Sequence, residues 1–426
     1  MNGDGLAHHA WRYRWVVLAV ATFTQAASGF FVQGIGAMGV HLQRDLNLST
    51  TQLGLLLSAA YLAPLVGLPV AGELLDRYDE RWVVGIGAAV VAVSLGAGSV
   101  APGYGSLLLV LLVVGAGYST VQPGGGKSVA SWFGTSQRGL AMGIRQAGLP
   151  LGGVLAAAAL PGLAAALGWR TTLTAGALVA LSGAVAFMCL YRRPPVRGRP
   201  RDEAPRDGEP RASLGSRVGA RLRVLREPSI TRIVLSGTCL VSVHSGIGLL
   251  TVLHLHETAA VGAGPAALVF MAVQGAGAAG RVCLAAWSDR VGSGRHTCVL
   301  SCMAAVVAGT AALTTPLGRS PAAACLLFVW LGFFGIGWYG PWIAHVAESA
   351  PPGRTGVTLG MVMAVNQVAI IATPPVLGLL SDLAGGFGAA WGLLTVATAA
   401  TLAVTARGTG FPYRRRAARR QPPRRP

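Results

Sequence analysis

Apolar residues in this chain come in long blocks rather than in the narrow stripes of soluble amphipathic helices. Twelve stretches are largely apolar: roughly 15–39, 51–75, 83–101, 105–130, 139–163, 171–191, 231–255, 265–287, 297–315, 321–346, 356–380 and 388–406. A helix crosses the hydrocarbon core of a bilayer with about 20 such residues, so each block predicts one transmembrane helix. The polar segments between them are short, with one exception. From Arg192 to about Pro228 the chain is rich in Arg, Pro, Gly, Asp and Glu and poor in apolar residues. Such a segment cannot bury enough surface to fold alone. The pattern therefore predicts an all-α membrane protein whose 12 transmembrane helices form two six-helix bundles. The expected organisation is an N-terminal stretch 1–14, a first bundle 15–191, a basic linker 192–230, a second bundle 231–406 and a basic tail 407–426.

Composition agrees with this pattern. Only 12% of the 426 residues are charged, 53% are hydrophobic, and mean hydropathy is +0.56, values that exclude an ordinary soluble enzyme. A net charge of +19 would, taken alone, suit nucleic-acid binding. Its distribution argues otherwise. With an even number of spans both termini share a side, and if that side is the cytoplasm it carries 28 of the 34 Lys and Arg. The opposite loops carry only Arg44, Arg170 and Arg319. This asymmetry is the positive-inside signal. It predicts a multi-pass protein of the cell inner (plasma) membrane with cytoplasmic termini, whose linker and tail lie near anionic lipid rather than nucleic acid. The six cysteines fall in or beside apolar stretches without metal-ligand spacing, so neither metal nor cofactor is expected.

The two halves repeat. Gly34-Ile35-Gly36 returns as Gly246-Ile247-Gly248, and Asp76-Arg77 returns as Asp289-Arg290. Arg138-Gly139 with Gly143 returns as Arg354, Gly356 and Gly360. Three matches in order at nearly constant offset indicate duplication. A parallel six-plus-six repeat with its site between the halves is a transporter architecture.

With these residues in view, the chain resembles the major facilitator superfamily over nearly its whole length. The loop after the second span reads Gly72-Glu73-Leu74-Leu75-Asp76-Arg77-Tyr78-Asp79-Glu80-Arg81, similar to that family's G-x-x-x-D-R-x-G-R-R signature. Asp79 and Glu80 depart from it. The resemblance implies a secondary transporter working by alternating access as a functional monomer, with H⁺ or Na⁺ as the coupling ion. It also implies gating roles for Gly72, Asp76, Arg77, Arg81, Asp289 and Arg290. The string Gly280-Arg281-Val282-Cys283…Ser288-Asp289 is similar to the oxalate/formate and monocarboxylate branches, where the arginine contacts substrate carboxylate.

Three cations fall inside apolar stretches: Lys127, the single lysine of the chain, Arg145 and Arg281. A charge at the bilayer centre costs at least about 2.5–3.5 kcal/mol, so each needs a cavity, a partner or a route to the interface. Lys127 and Arg145 lie close enough to a membrane edge for snorkelling to be the competing explanation. Few anions answer them, an imbalance that suits an anionic small-molecule substrate recognised first by Arg281, with Lys127 and Arg145 behind it. Gln33, Gln122, His244, Asn366 and Gln367 are further candidates for substrate binding, although buried amides also serve as interhelical glue. Gln25, Gln146 and Gln274 belong to the same polar set. The expected substrate is a small organic anion, a carboxylate. The alternative is proton-coupled drug or metabolite efflux, with His244 or Glu73 as the protonatable group. The run Gly148–Gly153 resembles the signature of drug/proton antiporters, but its Pro and spacing are displaced and the fourth span lacks the arginine those exporters carry, so efflux stays second. Gly124-Gly125-Gly126-Lys127-Ser128 ends like a P-loop, but no strand precedes it. No nucleophile–base constellation supports an enzyme.

Overall fold

A computed structural model describes residues 3–133, 135–194, 228–290, 294–349 and 355–407. Most of the predicted linker and tail lie outside the described residues, as do the side chains of Asp76, Arg138, Asp289 and Arg290.

The first half comprises α1 (Gly3–Gly34), the short α2 (Gly39–Leu46), α3 (Thr50–Arg77), α4 (Glu80–Gly98), α5 (Tyr104–Trp132), α6 (Thr135–Leu167) and α7 (Trp169–Leu190). The second comprises α8 (Pro228–Glu257), α9 (Ala263–Arg290), α10 (Gly294–Leu313), a 3₁₀ turn (Pro316–Arg319), α11 (Pro321–Gly337), α12 (Tyr339–Ser349), α13 (Thr355–Ala384) and α14 (Gly388–Ala406). Among the described residues there are 12 candidate membrane spans, one for each predicted apolar stretch.

Two spans differ from their prediction. The first ends at Gly34 rather than running to 39, and α2 begins at Gly39. At this break the halves approach closely: a methyl group built on Gly36 would collide with the carbonyl oxygen of Gly248. The two copies of the Gly-Ile-Gly repeat thus meet each other between the halves, and the first span breaks where they do. The tenth span is likewise two helices, α11 and α12, parted at Trp338.

Polar groups fix the helix ends facing the loops. Ser49 and Gln52 form a reciprocal capping box at the start of α3, supplying partners to amides that no helical carbonyl reaches. Asp79 caps α4 by accepting from the amide of Arg81 at 2.8 Å. The residue that departs from the signature therefore starts the next helix, and with φ near −68° this position has no need of glycine.

Within each half the helices pack on one another, and the halves meet chiefly through α3 against α13 and α6 against α9. Because spans alternate in direction, the start of α3 and the end of α13 lie on the side opposite the termini, here called the far side. There Asp382 accepts from the amides of Thr50 (3.1 Å) and Thr51 (2.9 Å) and from the Thr51 hydroxyl. Deeper along the same seam, Ser58 donates to the Ile371 carbonyl (2.6 Å) and Gln367 to the Tyr61 carbonyl (2.8 Å). The far side is closed.

A central cavity with two unpaired arginines

Behind that seal, toward the side of the termini, lies a cavity of about 560 Å³ between the halves. Its wall includes all eight residues singled out for substrate binding: Gln33, Gln122, Lys127, Arg145, His244, Arg281, Asn366 and Gln367. Sequence reading gave their depth along the helices; the structure adds that they face one space.

Arg145 does not reach for the interface. It is 1% exposed, and its Nη2 donates to the backbone carbonyls of Val121 and Gln122 on α5. The glycine run explains how: a Cβ on Gly125 would stand 2.8 Å from Arg145 Nε and 2.9 Å from Nη2. The P-loop-like string is thus a bare helix surface on which a guanidinium lies flat.

Arg281, 7% exposed, projects from α9. Its Nε donates to the carbonyl of Ile336 (3.3 Å), near the break between α11 and α12. Carbonyls at a helix C-terminus lack intrahelical donors and carry partial negative charge, which draws a cation there. Its Nη1 crosses between the halves to the carbonyl of Gln146 (2.7 Å), the neighbour of Arg145. The ring of Tyr339 lies 5.6 Å from its guanidinium carbon. Both arginines donate to neutral main-chain groups, and no Asp or Glu lines the cavity among the described residues.

Lys127 is different, and the expectation of an unanswered cation is corrected for it. Its Nζ lies 3.4 Å from Glu80 and also donates to the Leu75 carbonyl at the end of α3. Glu80 is shared with Arg193 at 3.7 Å. The signature's second departure therefore supplies the counter-charge of Lys127 at the membrane edge.

The amides divide. Gln33 Oε1 accepts from the Tyr61 hydroxyl (3.0 Å), Asn366 Oδ1 accepts from Thr238 (3.3 Å), and Gln367 joins the halves as described. Gln146 and Gln274 also line the wall, as does Tyr118, which sequence reasoning did not single out. The available signal was a hydroxyl-bearing aromatic in mid-span among small residues. Tyr118 Oη, Trp338 Nε1, Gln274 Oε1 and Arg145 Nε are buried without a hydrogen-bond partner among the described residues.

Of the residues expected to gate, Arg77 is exposed and faces Glu73 of its own helix at 3.9 Å. Arg81 donates to the Met188 carbonyl within the same half. Gly72 has open space where a Cβ would stand. Side chains of Asp76, Asp289 and Arg290 are outside the described residues.

Twelve spans in two packed halves, enclosing a largely apolar cavity that holds two buried arginines and is closed at one end, define a membrane transporter. Residues 18–374 match the family model described as Major Facilitator Superfamily, and the chain belongs to that superfamily. An uncharacterised MFS-type transporter of Mycobacterium tuberculosis is 28% identical over 389 residues, covering 90% of this chain and 82% of the relative. A hexuronate transporter of Bacillus subtilis is 28% identical over 154 residues, 36% of each chain. Among solved structures, a nucleoside transporter shares the fold with a TM-score of 0.71 at 13% identity, covering 93% of this chain and 99% of that one.

Proposed function

We propose that this protein is a secondary active transporter that moves a small hydroxylated carboxylate by alternating access. The carrying observation is the pair of buried arginines, Arg145 and Arg281, in a cavity whose described wall holds no carboxylate. Burying a charge without a counter-charge is unfavourable, and a bound carboxylate offsets it. The fork of Arg281, oriented by two carbonyls, suits planar carboxylate recognition. Gln33, Gln122, Gln146 and Gln274 add side-chain amides, which both donate and accept and so match hydroxyl groups. The likeness to a hexuronate transporter, whose substrate is a sugar acid, supports the same class.

The concentration of arginine on the termini side supports cytoplasmic termini, which makes the cavity inward-facing. In this reading the protein works as a monomer, and Asp76, Arg77, Arg81, Asp289 and Arg290, with Gly72, gate the cytoplasmic mouth when it closes. His244 lines the cavity and is the residue proposed to carry a coupling proton. The efflux alternative would use the same histidine with an uncharged or cationic substrate.

Ligands that bind the folded state raise its melting temperature. Purified protein should therefore be stabilised by D-galacturonate and D-galactonate, and not by the corresponding neutral sugars or by cationic drugs. Stabilisation by the drugs alone would replace this reading with efflux.

A further inference from the structure

The charge count in the cavity points beyond a simple carboxylate. Of its three cationic side chains, Lys127 is balanced by Glu80. Arg145 and Arg281 are answered only by uncharged groups: the carbonyls of Val121 and Gln122 for one, those of Ile336 and Gln146 for the other. Carbonyl dipoles orient a guanidinium but do not cancel its charge. Two formal positive charges therefore remain without a counter-ion among the described residues. A monocarboxylate would neutralise one and leave the other buried and uncompensated, the arrangement that buried charges tolerate worst.

Placement adds a second reason. Arg145 comes from α6 in the first half and Arg281 from α9 in the second, and the Arg281 guanidinium touches the backbone of the residue next to Arg145. The two charges thus flank the seam between the halves. Arg145 Nε and Trp338 Nε1 are further buried donors without a partner among the described residues. A ligand with an anionic group at each end would hold both halves at once.

We propose that the ligand of this cavity is a dianion, a hydroxylated dicarboxylate that places one carboxylate on Arg145 and the other on Arg281. The proposal rests on the carboxylate reading above and fixes its charge. Galactarate and D-galactonate test it, because both are open six-carbon hydroxy acids that differ in a second carboxyl group. Near pH 7.5 both carboxyls of galactarate are ionised, since such groups titrate near pH 4. Succinate and butyrate form a shorter pair with the same contrast.

Apparent dissociation constants of the full-length protein in detergent should favour galactarate over galactonate by at least about tenfold, or about 1.4 kcal/mol. Arg145→Gln should bring the ratio close to one, because galactarate then loses the partner of its second carboxylate. Equal or tighter binding of the monoacids by wild-type protein would overturn the dianion and leave the carboxylate reading standing. Binding of none of the four acids would overturn both. The wild-type comparison decides the matter even if Arg145→Gln does not fold.

Discussion

Asp382→Asn should loosen the far-side seal and shift the protein toward conformations open on that side. The carboxylate bridges the halves by accepting from two first-turn amides of α3, at 3.1 and 2.9 Å, and from the Thr51 hydroxyl. Those amides have no intrahelical acceptor, so the bridge satisfies donors that would otherwise need water. A hydrogen bond to a charged group contributes about 1.5–3 kcal/mol net, and a negative charge at a helix N-terminus about 0.3–1 kcal/mol. Asp382 is exposed, so water competes for it and the lower end of both ranges applies. Asparagine keeps one acceptor oxygen but loses the charge and the second oxygen. The net loss is then about 1–2 kcal/mol, a factor of about 5–30 in the ratio of far-closed to far-open forms. Nitroxide labels replacing Arg44 and Arg319, both exposed on the far side in opposite halves, report that ratio by pulsed electron paramagnetic resonance. The long-distance population should grow at least about fivefold. A distance distribution that stays the same in both Asp382→Asn and Asp382→Ala would refute the seal.

Four further outcomes follow from the packing and the ion pairs. Gly125→Ala places a methyl group 2.8 Å from Arg145 Nε; transport should fall at least about tenfold, the cost of misplacing a positioned group, with the protein still folded by circular dichroism. Gly36→Ala drives a methyl group into the Gly248 carbonyl, which is backbone and cannot step aside; stability should fall by about 1–3 kcal/mol in thermal unfolding. Gly72→Ala, with open space at its Cβ, should leave stability within about 0.5 kcal/mol of wild type in the same assay. Lys127→Ala removes a cation already paired with Glu80, which keeps Arg193 as a partner; substrate affinity should change less than about threefold, as expected for a partly exposed ion pair.

The membrane architecture was legible because hydrocarbon thickness dictates it residue by residue: an apolar block of sufficient length is a span, whatever it packs against. What depended on distant partners was not. The break after Gly34 lies where Gly36 meets Gly248, more than two hundred positions away. Asp382 reads in sequence as an acid at the end of a span, and its partner at Thr50 stands 332 residues earlier. Glu80 looked like a defect in a loop signature, yet it is the counter-charge of Lys127 because α4 begins where the side chain of α5 emerges. The eight polar candidates were findable because charges and amides are conspicuous in apolar helices, and all eight line one cavity. Tyr118 was not conspicuous. An aromatic residue in a membrane helix looks like packing until its hydroxyl proves to be buried without a partner.

Uptake of radiolabelled galactarate and D-galactonate into proteoliposomes tests the central claim most directly, that the arginine-lined cavity carries an organic anion. Wild-type protein should accumulate label in a saturable manner, and Arg281→Ala, reconstituted to the same density, should fall to the level of empty liposomes. Unchanged kinetics in that variant, or no uptake of either acid by a wild-type protein that does transport a cationic drug, would contradict the account.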